Sequence, residues 1–206
     1  SSDLKLGHTP LPDDLLRMRG LLPEDEFRYQ TIYARNEGAV VAPTAGFHFS
    51  RELLKRMEIK GIDSSFVTLH SGLGNFRAIE VEDLTKHKMD SEQMLIDQNN
   101  ANLINATKER NNKVCIVGTT TMKAVETAAI TGNRVKVYSG WTNKFIFPNY
   151  NFAIADAMIT NFHPPLSSML MMVSAFGGYE LIMEAYKHAI EKEYKFLTYG
   201  DAMLII

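Results

Sequence analysis

The stretch "KVCIVG" at residues 113–118 constrains the fold more than any other. Its apolar run is near-continuous rather than alternating, the pattern of a strand covered on both faces. Such a strand needs helices on its sheet, and "TTTMKAVETAA" directly after it reads as a helix opened by threonines. Strand and helix signals alternate elsewhere too. Residues 38–46, "GAVVAPTAG", read as a strand entering a tight loop. Ser50 is placed to cap a helix over 51–60 whose apolar face is Leu53, Leu54 and Met57, with Gly61 after it. "IDSSFVTLH" comes next as a strand ending on His70, and this strand-loop-helix-strand order points to parallel pairing. Further helices are expected over 98–110, 167–176 and 180–193, and further strands over 135–138 and 153–160. The expected class is α/β, a mostly parallel sheet with flanking helices.

Composition narrows the function classes. The formal net charge of −2 provides no broad electropositive field, so a nucleic-acid partner would need a local basic patch. Cys115 is the only cysteine, which rules out an internal disulfide and fits a reducing cytoplasm. There is no signal peptide, no apolar run of membrane length and no lipidation motif. Pro10, Pro12 and Pro23 keep residues 7–30 loop-rich. The opening "SSDLKLGHTPLPDD" lacks a Met and reads as a cloning remnant or a linker from something N-terminal.

Several groups could carry chemistry, each with an ordinary structural alternative. "APTAGFHF" brings Thr44 and His48 just before a helix start, where Phe49 could equally be a hydrophobic staple. His70 ends a strand, the place where parallel sheets bind ligands, and Gly72 and Gly74 would let a ligand approach the backbone; a buried histidine with a turn after it fits as well. "HKMDSE" at 87–92 could transfer protons or be a solvated loop. Thr119 and Thr120 open a helix whose free amides favour an anion, or simply cap it. Asn161 and His163 close another strand, before Pro164 and Pro165. No set has metal-ligand spacing: HExxH is absent and a lone cysteine makes no thiolate zinc site. His48, His70 and His163 each lie at an element end, which argues for a shared pocket.

The ordered segments "GHTPLP", "YQTIYA", "APTAGFHF", "FVTLHSGLGNF", "VGTTTMKAVE", "YSGWTNKFIFP", "DAMITNFH" and "YGDAMLI" resemble the S-adenosylmethionine:tRNA ribosyltransferase-isomerases of queuosine biosynthesis. The resemblance runs from about Gly7 to the C-terminus. It implies transfer and isomerisation of the ribosyl part of S-adenosylmethionine onto 7-aminomethyl-7-deazaguanine at the wobble position of a tRNA anticodon, giving epoxyqueuosine, adenine and methionine. It implies a two-domain fold, so this chain would be an incomplete large domain whose β-barrel partner is absent. Residues 1–30 would be the loop-rich linker re-entering from that portion, and 31–206 the α/β catalytic-type domain.

In that family the proposed reaction begins with proton loss from C5′ beside the sulfonium. Adenine then leaves, the aminomethyl nitrogen attacks and epoxide closure expels methionine. The resemblance makes His48, His70 and His163 the candidates for proton transfer and orientation. Thr119 and Thr120 are candidates for the methionine carboxylate, Trp141 for stacking on a base, and Thr44, Gly72, Gly74 and Asn161 for lining the substrate site. S-adenosylmethionine is a consumed substrate, so no cofactor and no metal are expected. The expected partners are tRNA and S-adenosylmethionine, with no membrane, in the cytoplasm. The chain departs from the family pattern at Asp90, usually histidine, at Lys123, usually arginine, at Asn75, usually threonine, and across 164–168. Those departures leave a second reading, a paralogue binding tRNA or an adenosyl ligand without catalysis or with altered specificity. The isolated 206 residues are expected to be inactive.

Overall fold

A computed structural model describes residues 9–206, without the side chains of Asn75 and Phe76. The first eight residues of the expected linker, with Gly7 and His8 of "GHTPLP", lie outside the described residues, as does the Asn75 side chain.

In chain order the elements are helices α1 (Asp13–Arg19) and α2 (Asp25–Arg28), a 3-10 turn (Thr44–His48), α3 (Arg51–Ile59), strands β1 (Thr68–Leu69) and β2 (Glu92–Ile96), and α4 (Gln98–Glu109). Next come β3 (Cys115–Val117), α5 (Thr119–Ala128), β4 (Ala129–Ile130), β5 (Arg134–Val135) and β6 (Tyr138–Thr142). β7 (Ala157–Asn161), α6 (Ser168–Gly177), α7 (Tyr179–Glu191) and β8 (Ala202–Ile205) complete the order.

Side-chain chemistry accounts for three of the helix starts. Ser50 Oγ accepts from the Leu53 amide at 3.0 Å, Asp97 Oδ1 from Asn100 at 2.8 Å and Ser167 Oγ from Leu170 at 3.1 Å, so α3, α4 and α6 are each side-chain capped. α5 differs. Its N-cap is Gly118, at φ 88°, and no side chain caps it. The threonines that open α5 are therefore not spent on capping. α3 forms where expected but buries none of its residues.

The class is α/β, with sheets smaller and less parallel than expected. One three-stranded sheet has the order β1-β2-β6 and is antiparallel throughout; the other, β3-β7-β8, pairs β3 with β7 parallel and β7 with β8 antiparallel. β4 and β5 make an antiparallel pair. The expected parallel unit around α3 fails because β1 takes a later strand, β2, as its antiparallel neighbour. Residues 38–46 form no strand either. Val40 and Val41 both donate to the single Ser71 carbonyl, at 2.8 and 3.3 Å, which is not a ladder.

β2 alternates strictly: Glu92, Met94 and Ile96 are buried and Gln93 and Leu95 exposed. Met94 and Ile96 enter a core with Ile116, Met122, Val125, Ile154, Met158 and Val173. α5 packs against strands of both three-stranded sheets, and its Glu126, buried, accepts from the amides of Ala153, Ile154 and Ala155 at 3.0, 3.0 and 3.3 Å. A second, smaller cluster joins the ends of the described chain: Leu11, Leu15, Tyr29 and Ala42 pack with Phe47 and Tyr199. There Asp25, fully buried, accepts from both Arg19 guanidinium nitrogens at 2.9 and 2.6 Å, from the Leu22 amide at 2.9 Å and from the Tyr199 hydroxyl at 3.2 Å.

Candidate active site

The N-terminus of α5, the start of β2, the turn after β1 and the start of α6 meet around a small cavity. Thr119, Thr120 and Lys123 line it from α5, Glu92 from β2 and Ser71 from the turn. Ser168, Met169 and Met172 line it from α6, and Lys144, Phe145 and Ile146 from the segment after β6. Its volume is about 40 Å³, room for a few water-sized groups and not for a nucleoside. A ligand carrying a nucleoside would lie across its mouth.

The polar side of the cavity is a buried ion pair. Lys123 Nζ donates to Glu92 Oε2 at 2.5 Å, with side chains 6% and 5% exposed. Glu92 Oε1 also accepts from Ser71 Oγ at 3.2 Å and from the Gly72 amide at 3.0 Å. One carboxylate thus ties the turn beyond His70 to the first turns of α5. The run 87–92 divides accordingly. His87 packs on the Phe145 ring at 4.8 Å, Asp90 pairs with Arg77 at 3.3 Å and Glu92 turns inward.

The three histidines do not share the cavity, and no hydrogen bond joins any two of them among the described residues. His163 is a core histidine. Its Nε2 lies 2.7 Å from Thr160 Oγ1, its amide donates to the Tyr186 hydroxyl at 2.8 Å, and burial lowers its pKa to about 4, so the ring is neutral. The expectation that this strand-end histidine faces a pocket fails here because the residue is buried and its Nε2 is held by Thr160. His70 extends the β1 pairing, donating its amide to Gln93 O at 2.8 Å. Its ring lies on Gly38, at φ 136°, where a Cβ would stand 2.7 Å from Nδ1; only glycine suits that backbone.

His48 is exposed and differs again. Asn161 donates its amide nitrogen to Leu197 O at 2.9 Å, which turns Asn161 Oδ1 toward His48 Nε2, 3.1 Å away. Nε2 must then carry a hydrogen, and in the tautomer with one ring hydrogen Nδ1 is the acceptor. No described group engages that nitrogen. Asn161 itself is consumed by the protein.

Of the remaining candidates, Thr119 and Thr120 line the cavity and Thr44 sits in the 3-10 turn beside Gly46. The Gly72 amide is held by Glu92, and a Cβ on Gly74 would fall on the Asp90 carboxylate. Trp141 lies outside the cavity, on the exposed face of β6 opposite Gln93. Sequence reasoning met Glu92 only within the 87–92 run and Lys123 only as a departure from a pattern, and it singled out neither Lys144 nor Ser168. Among the described residues no group of three or more His, Cys, Asp or Glu could hold a metal ion, and no helix is long and apolar enough to cross a membrane.

A family model described as "Queuosine biosynthesis protein" matches residues 4–205. S-adenosylmethionine:tRNA ribosyltransferase-isomerases of Parabacteroides distasonis and Phocaeicola vulgatus are 60% and 59% identical, each over 98% of this chain and 57% of the relative. The chain thus spans little more than half the length of these curated relatives. The crystal structure of a Thermotoga maritima S-adenosylmethionine tRNA ribosyltransferase matches with a TM-score of 0.66 and 36% identity, over 79% of this chain and 51% of that one.

Proposed function

The chain belongs to the queuosine biosynthesis protein family, and on that premise we propose that the whole protein is an S-adenosylmethionine:tRNA ribosyltransferase-isomerase. It transfers and isomerises the ribosyl part of S-adenosylmethionine onto 7-aminomethyl-7-deazaguanine at the wobble position of the tRNA anticodon, with loss of adenine and methionine. S-adenosylmethionine is consumed as a substrate, no further cofactor is required, and the reaction takes place in the cytoplasm. Residues 31–206 form the α/β catalytic-type part, with 1–30 the segment through which the chain re-enters from a barrel.

The observation that carries this reading is the identity of 59–60% spread over 98% of the chain. That spread favours a working enzyme over a diverged paralogue that only binds. Within the reaction His48 is the base at C5′, supported by its unengaged Nδ1 and by the Asn161 amide that sets its tautomer. His70 orients substrate at the turn of Gly72 and Gly74, and His163 holds the strand end from inside the core. Thr44 lines the approach to His48. Trp141, 64% exposed, is available to stack on an anticodon base.

The test is adenine release by the complete protein given S-adenosylmethionine and tRNA carrying the aminomethyl precursor base. Adenine should form only when that tRNA is present. Release no greater than in a tRNA-free control would overturn the proposal.

A further inference from the structure

Lys123 is a buried cation with hydrogen-bonding capacity left over. An ammonium has three donors, and among the described residues this one gives a hydrogen bond only to Glu92. Buried donors in folded proteins nearly always find acceptors. Lys123 lines the cavity beside the hydroxyl-bearing Thr119, Thr120 and Ser168, so a group bound there is placed to accept from its remaining donors. The start of α5, whose threonines are free of capping duty, adds its own partial positive charge there.

Size selects the ligand group. The cavity of about 40 Å³ admits on the order of three heavy atoms. A carboxylate has three. A phosphodiester is larger and continues on both sides, which needs an open groove rather than a wall where the ion pair is 5–6% exposed.

We propose that Lys123, held by Glu92, binds the α-carboxylate of the amino-acid end of S-adenosylmethionine, with Thr119 and Thr120 beside it and the nucleoside outside the cavity mouth. Lys123 is a substrate-binding residue and Glu92 a positioning residue. Glu92 neutralises the ammonium while the site is empty and fixes the Ser71–Gly72 turn against it. The inference rests on S-adenosylmethionine being the substrate.

The experiment measures equilibrium binding to the complete protein, in the presence of tRNA lacking the aminomethyl group so that no turnover occurs, of three probes: S-adenosylmethionine, its decarboxylated analogue, and methylthioadenosine, which lacks the amino-acid end. Four forms are compared: wild type, Lys123→Met, Lys123→Arg and the double variant Glu92→Gln/Lys123→Met. The double variant removes both charges together and so avoids stranding one in the interior. Wild type should prefer S-adenosylmethionine over the decarboxylated analogue on the order of 10- to 100-fold, the worth of one charged hydrogen bond. That preference should collapse toward equality in Lys123→Met and the double variant and survive in Lys123→Arg. Methylthioadenosine should bind all four forms alike. A preference unchanged in the double variant, or methylthioadenosine affinity falling in step with it, would overturn the inference and leave the enzyme reading intact. Wild type that binds none of the three would overturn the inference, while the enzyme reading stands or falls on the adenine assay.

Discussion

Asp25 and Glu92 are both buried carboxylates paired with a cation, yet their surroundings differ. Asp25 holds Arg19, whose side chain is 29% exposed. Its other donors, the Leu22 amide and the Tyr199 hydroxyl, are fastened to the same cluster. Glu92 holds Lys123 where both side chains are nearly buried. The first arrangement clasps two distant parts of the chain and leaves its cation a route to water. The second buries its cation at a cavity wall. A buried ion pair is weak evidence of stability in itself, and the contrast shows which of the two invites a functional explanation.

The comparison breaks most visibly at Glu92. Glu92→Ala strands the Lys123 ammonium in the interior and should cost about 3–5 kcal/mol in urea unfolding of the complete protein, while Glu92→Gln/Lys123→Met should cost far less. An equal loss in both would make the pair a clasp like the other. Asp25→Asn should cost less than Glu92→Ala, because Arg19 can turn to solvent. It should also change the acid response. The Arg19 hydrogen bonds, helped by the Leu22 amide and opposed by burial, hold the Asp25 carboxyl at about 2 against an ordinary 3.8. The clasp therefore contributes fully above pH 3.8 and is lost as pH falls through about 2. Wild type and variant should differ in stability at neutral pH and converge across that window in acid titration. The smallest effect is expected from Tyr199→Phe, which removes one 3.2 Å hydrogen bond to Asp25 and should cost about 0.5–1.5 kcal/mol by thermal unfolding.

The features legible in the sequence were local. The Ser50 cap, the helix over 98–109 and the strand-to-helix step at Gly118 all stem from spacing and side-chain chemistry, and all are present. The hidden features depend on partners far along the chain. Glu92 looks like the end of a solvated charge run until Lys123, on another element, meets it. The alternation of Glu92, Met94 and Ile96 was the available signal for both the strand and the inward carboxylate. The antiparallel choice of β1 could not be read from the elements before it, since its partner comes later. His48 and His163 both flank predicted elements. Contacts that spacing does not show, Asn161 with His48 across 113 residues and Tyr186 with His163, distinguish an exposed ring from one folded into the core.

β2 has a further consequence for how this protein can change. Glu92 opens the strand, Met94 and Ile96 lie on the same face, and Asp97 immediately starts the next helix. Single replacements on the outer face, at Gln93 or Leu95, are cheap experiments for evolution. A change of length is not. One residue inserted between 92 and 96 would rotate the remainder of the strand to the opposite face, so the hydrophobic interior and the carboxylate at the cavity could no longer both be in place. In this segment spelling is negotiable and length is not, and drift in the family should appear there as substitutions rather than gaps.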